Sequence, residues 1–88
     1  MRTPTLLAED YRGLGWYSSL YYYPADDALQ EYVEERETGY SFENQFQTLE
    51  DFIDDLWTNN EPVMMGWDAA DEFEAEMEMK IMHAKLGV

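Results

Sequence analysis

Residues 40–57 read YSFENQFQTLEDFIDDLW. Taken as one helix from Phe42, this stretch places Phe42, Phe46, Leu49, Phe52, Ile53, Leu56 and Trp57 within an arc of roughly 140° on a helical wheel. Glu43, Glu50, Asp51, Asp54 and Asp55 fall outside that arc, as the wet side of an amphipathic helix should. The same residues admit a second reading. Tyr40, Phe42 and Phe46 also fit period two, which makes residues 40–46 a strand. The helix then starts after Thr48, where Thr48-Leu49-Glu50-Asp51 resembles a capping box. Under either reading Asn59-Asn60-Glu61-Pro62 ends it. A continuous helix over 42–58 gives a mainly α domain, and the split gives α+β.

The continuous helix is the leading reading, and two further helices are predicted beside it. After Pro24, which suits a first helical turn, Asp26 and Asp27 would sit at the positive end of a helix dipole. Ala25, Leu29, Tyr32 and Val33 then share one face, with Asp27, Glu31, Glu34 and Glu35 on the other and Gly39 as the stop. This predicts a helix over 25–38. A third helix is predicted over 69–86, with Asp68 as N-cap and Asp71 and Glu72 in the first turn. It carries two apolar stripes. Ala70, Phe73, Met77, Ile81 and Ala84 form one, and Ala75, Met79, Met82 and Leu86 form the other on the opposite side. One stripe serves the core. The second calls for another layer, from the N-terminal segment or from another chain.

The first 24 residues resist a helical reading. Residues 16–23, WYSSLYYY, have strand propensity, and Gly13 and Gly15 argue against an uninterrupted helix. One strand cannot stand alone, so residues 5–11 are expected to pair with it as a hairpin; Thr3-Pro4 opening a short helix is the alternative. The expected fold is one domain over 1–88, mainly α, with three amphipathic helices and a short N-terminal β-hairpin.

Charge dominates the composition. Twenty acids oppose five bases, for a net charge of −15. Thirteen of those acids lie between Arg36 and Lys80, where there is no base. Such a surface repels nucleic acid and anionic membranes and attracts basic proteins at long range, so direct nucleic-acid binding is not expected. Three Trp, seven Tyr and four Phe argue for a packed core and against an acidic tail. There is no cysteine, so neither disulfides nor thiolate chemistry enter. No apolar run approaches a signal peptide's core or a membrane span, which points to the cytoplasm, the host's if the protein is viral.

Catalytic and metal motifs are missing. Acid pairs such as Asp54-Asp55 and Asp71-Glu72 fall on predicted wet faces, not in the contrasting environments that acid–base pairs need. No calcium loop, Glu-x-x-His or His-Glu-x-x-His occurs. His83, with Met79 and Met82 at helical spacing, is better read as part of a packing surface than as a copper(I) site. Neither an enzyme, a metal nor a cofactor is expected.

A magnitude gives the acidity a meaning. A domain of this size is roughly 30 Å across, a length of duplex DNA that holds about 18 phosphate charges. Acids three or four apart on a helix lie about 5–6 Å from one another. In size and composition the chain is similar to the small acidic inhibitors of phages and plasmids that block restriction, CRISPR or DNA-repair enzymes. That similarity implies a non-enzymatic inhibitor or regulator of a basic, nucleic-acid-binding protein. The contact residues would be Glu43, Glu50, Asp51, Asp54 and Asp55; then Asp27, Glu31, Glu34 and Glu35; then Asp71, Glu72, Glu74, Glu76 and Glu78. The alternative is a structural or assembly subunit that oligomerises through Ala75, Met79, Met82 and Leu86.

Overall fold

The computed structural model describes residues 3–12, 15–59 and 67–87. The chain forms four strands, β1 (Thr5–Glu9), β2 (Trp16–Tyr23), β3 (Ala28–Glu35) and β4 (Ser41–Phe46), followed by two helices, α1 (Leu49–Asn59) and α2 (Trp67–Leu86). The strands make one antiparallel sheet in the order β1-β2-β3-β4. Both helices cover the same face, α2 against β1 and α1 against β4. The result is a two-layer α+β domain.

This overturns the mainly α expectation in two places. Residues 28–35 are a central strand, not part of a helix over 25–38. Leu29, Glu31 and Val33 point inward at period two, while Gln30, Tyr32 and Glu34 point outward. β2 on one side and β4 on the other complete its hydrogen-bond ladder, a gain no isolated helix of this length can match. Pro24 and Asp27 serve a turn. Pro24 occupies its second position, the Asp26 amide donates to the Tyr23 carbonyl at 3.2 Å, and Asp27 adopts φ 49°. Gly39, at φ 75°, closes the β3–β4 hairpin and stops no helix.

The second correction splits the proposed helix over 42–58. Residues 41–46 are β4, and the helix begins at Leu49. Thr48 caps it, its hydroxyl accepting the Asp51 amide at 3.1 Å. The strand reading of this stretch is therefore the one the structure takes. The N-terminal hairpin of β1 with β2 also forms, with a register shift between Leu6 and Ala8. The stop signal at Asn60-Glu61-Pro62 and the pair Gly13-Leu14 lie outside the described residues. α2 begins at Trp67, so Asp68 lies inside the helix and not at its N-cap.

The core lies between the layers. Leu7, Leu20, Tyr22 and Leu29 of the sheet meet Phe52 and Leu56 of α1 and Met77 of α2. Phe73, Ile81 and Ala84 extend the α2 contact, as the first stripe requires. Tyr11, from the β1–β2 loop, sets its ring edge-on to Phe52 at 5.3 Å between centroids. Lys80 ties α2 to β1 through the Leu7 carbonyl at 3.1 Å.

Candidate functional site

The least expected feature is inside. Glu31 lies in the middle of β3, in line with Leu29 and Val33, and is fully buried. Its carboxylate takes two bonds from Arg12, from Nε at 2.6 Å and from a terminal guanidinium nitrogen at 2.7 Å. The Tyr11 hydroxyl donates to it at 2.5 Å and the Asn44 amide at 3.0 Å. Arg12 bridges onward to Asp55 of α1 at 3.0 Å. Ser18 holds the loop that delivers these side chains, its hydroxyl accepting the Tyr11 and Arg12 amides at 3.2 and 3.4 Å.

The electrostatics follow from this packing. Burial, then the charge of Glu31, pushes the Tyr11 hydroxyl far above its ordinary value, so it stays protonated and donating. Burial alone would lower the Arg12 guanidinium, but the bonds and charge of Glu31 outweigh it and hold Arg12 above its ordinary value. No buried polar side-chain atom among the described residues lacks a partner. Glu31 itself is closed to solvent, each of its carboxylate oxygens accepting two bonds from within the chain, and Asp55 carries the cluster out to the surface. It orders the core around β3.

The predicted contact acids divide into three groups. Glu50, Asp51 and Asp54 line the outer surface of α1, where Asp71, Glu72, Glu76 and Glu78 of α2 are also exposed and Glu74 is half-buried. Glu34 and Glu43 stand on the opposite side of the molecule, the open face of the sheet, and Glu35 closes β3, accepting the Thr38 hydroxyl at 2.8 Å. The others are drawn inward or into turns. Glu31 is in the core and leaves the set of surface contacts altogether. Asp55 belongs partly to the Arg12 cluster. Asp27 accepts the Tyr22 hydroxyl at 2.7 Å and faces Lys85 at 3.5 Å. Its carboxyl is lowered, first by Tyr22 and then by Lys85.

The bases explain why the helical layer carries uncompensated acids. All four bases among the described residues are ion-paired within the chain: Arg12 with Glu31 and Asp55, Arg36 with Asp10, Lys80 with Glu76, and Lys85 with Asp27. No described cation lies within ion-pair distance of Glu50, Asp51 or Asp54. Asp54 lies four residues from Glu50 and three from Asp51, about 5–6 Å from each on the helix, so the three make a short uncompensated patch.

Sequence reasoning missed the open face of the sheet. Tyr17, Tyr21, Tyr23 and Tyr32 point there with Glu9, Glu34 and Glu43, on the side away from both helices. The aromatic strand propensity of residues 16–23 was the available signal for the β2 part of it. The second α2 stripe is where the sequence put it, with Met79, Met82 and Leu86 among the most exposed large apolar residues. Beside it, Tyr22, Leu29, Leu49, Ile81, Met82 and Lys85 help line a groove of about 390 Å³. Among the described residues no three His, Asp or Glu side chains converge as metal ligands. No helix among them is long and apolar enough to cross a membrane.

Comparison with protein-family models, with curated proteins and with solved structures found no match.

Proposed function

We propose that this chain is a non-enzymatic acidic binding protein that inhibits or regulates a basic, nucleic-acid-binding protein by occupying the site of the nucleic acid. One observation carries the reading. The described bases are all engaged in internal ion pairs, while Glu50, Asp51 and Asp54 form a solvent-facing patch that no described cation neutralises. These carboxylates would take the lysines and arginines that otherwise hold phosphates. Exposed acids of α2 extend the same helical layer. Nucleic acid itself is not the ligand, because the same charges repel its phosphates. The setting is the cytoplasm, a host's if the protein is viral, and the anti-defence inhibitors of phages and plasmids are the functional class it fits.

The test is capture of basic proteins from the native host across a salt series, with duplex DNA as competitor. Retention should fall steeply with salt and with added DNA, and the Glu50→Gln/Asp51→Asn/Asp54→Asn variant should retain less. Retention indifferent to DNA would contradict the reading.

A second reading has its own observation. Met79, Met82 and Leu86 are 52%, 54% and 71% exposed, which suits an assembly subunit that packs α2 against another chain. Sedimentation at rising concentration tests it: a homo-oligomer should dissociate on Met82→Lys, and a monomer at high micromolar concentration would set the homo-oligomer aside.

A further inference from the structure

We infer that the open face of the sheet is a docking surface for an arginine-bearing segment of a basic protein. The inference deepens the function proposed above by naming the side chain recognised, and it uses a surface on the other side of the molecule from α1.

The sheet register builds the surface. Tyr17 is the cross-strand partner of Glu34, and Tyr32 is the partner of Glu43. Such partners on one face have Cβ atoms about 4.5–5.5 Å apart. Aromatic faces and carboxylates thus alternate across the strands. The carboxylates are oriented by neutral donors: the Tyr17 hydroxyl bonds Glu9 at 2.9 Å and the Gln30 amide bonds Glu43 at 2.8 Å. Neither bond removes a charge, and each carboxylate keeps lone pairs for a further donor. Ser19, flanked by Tyr17, Tyr21 and Tyr32, is 4% exposed, so the tyrosines form a continuous surface and not isolated posts.

The chain itself shows what such a surface holds. Arg36, in the β3–β4 turn, places its guanidinium over the Tyr17 ring at 5.8 Å and bonds Asp10 at 2.7 Å. This is a guanidinium on a tyrosine face that also pairs with a carboxylate, and Tyr32 with its cross-strand partner Glu43 offers the same two groups with no described cation over the ring. Arginine suits it better than lysine. Its planar group stacks on a ring and presents a fork of donors to a carboxylate, whereas an ammonium is a compact, strongly hydrated charge. Stacked nucleobases would also suit tyrosines, but Glu9, Glu34 and Glu43 repel the attached phosphates.

The experiment is an NMR titration of the full chain at low ionic strength with two peptides of equal length and charge, (Gly-Arg)4 and (Gly-Lys)4. The arginine peptide should shift the ring signals of Tyr17, Tyr21 and Tyr32. It should bind measurably more tightly than the lysine peptide, because only the guanidinium both stacks on a ring and forks onto a carboxylate. Tyr32→Leu, with its fold checked by circular dichroism, should reduce that preference, and Glu34→Gln/Glu43→Gln should weaken both peptides. Equal affinity for the two peptides, or shifts confined to the helical layer, would overturn the inference. So would shifts of the same rings on raising the protein concentration alone, which would make a second copy the occupant. The α1 variant separates the two ideas. If it abolishes DNA-competed capture while the peptides show no preference, the sheet-face inference fails and the proposed function stands. If the arginine peptide docks on the tyrosines while capture ignores DNA, the reverse holds.

Discussion

Arg12 and Glu31, nineteen residues apart, share two hydrogen bonds of 2.6 and 2.7 Å at the centre of the domain. The side chains are 7% and 0% exposed, so this is an ion pair withdrawn from water. Desolvating two charges is expensive, and the attraction offsets it only because Tyr11, Asn44 and Asp55 satisfy the remaining groups. Removing one partner is therefore worse than removing both. Glu31→Leu or Arg12→Met alone should cost about 3–5 kcal/mol, a large share of what a domain this small has. The double variant should recover much of that loss. Urea midpoints of the three variants check it; a double variant no more stable than either single would show that the pair's geometry, and not its isolated charge, dominates.

Tyr11 gives the cluster an alkaline limit. Its hydroxyl is raised in the folded state, so the folded chain holds that proton where the unfolded chain releases it. The contribution is complete below the ordinary value of 10.0 and is lost as pH climbs above it. Stability should decline beyond pH 10, more steeply than in Tyr11→Phe, which removes the titrating group. The Phe variant should itself lose about 1–2 kcal/mol at neutral pH through the missing bond to Glu31. Denaturation midpoints between pH 8 and 11 measure both effects, and parallel profiles would contradict the assignment.

The β2–β3 turn makes an opposite, acidic prediction. Asp27 is lowered from its ordinary 3.8 by the Tyr22 hydroxyl and by Lys85. Its contribution is present above that value and disappears as pH falls through the lower folded value. Tyr22→Phe should move the Asp27 carboxyl back up, visible in a carbon-detected NMR titration. An unmoved titration would mean that Lys85 alone sets it.

Thr48 marks the boundary on which the fold turns. Thr48→Ala removes the hydroxyl that accepts the Asp51 amide and should cost about 1 kcal/mol. Phe52→Ala, one turn further on and fully buried between Tyr11 and Phe46, should cost about 3–5 kcal/mol. Equal, small losses at both positions would place the helix start elsewhere.

These residues also show what could be read from the sequence. The capping pattern at Thr48, the apolar face from Leu49 to Leu56 and the strand propensity of residues 16–23 are local signals, and the structure uses them. Residues 28–35 misled for a physical reason. Glu31 interrupts the alternation Leu29-x-Glu31-x-Val33, so period two looks broken and the helical grouping of Leu29, Tyr32 and Val33 looks intact. Only Arg12, brought in by a loop that Ser18 fastens, makes a buried Glu31 tolerable, and no local pattern reveals a partner nineteen residues away. Pro24, Asp26 and Asp27 were equally ambiguous, since first helical turns and tight turns favour the same residues. Of the contact acids, the α1 patch was legible because those residues do lie on the wet side of a helix. Glu34 and Glu43 were grouped with helices and stand on a sheet face instead.

Displacement of nucleic acid tests the central claim most directly. The basic protein captured by this chain, bound to fluorescent duplex DNA, would be titrated with the wild type and with the Glu50→Gln/Asp51→Asn/Asp54→Asn variant while anisotropy is followed. Wild type should return the DNA to its free value, and the variant should require at least about tenfold more protein, at several tenths of a kcal/mol or more per lost charge pair. A rise in anisotropy, from the chain joining the protein–DNA complex without displacing the DNA, would contradict the account.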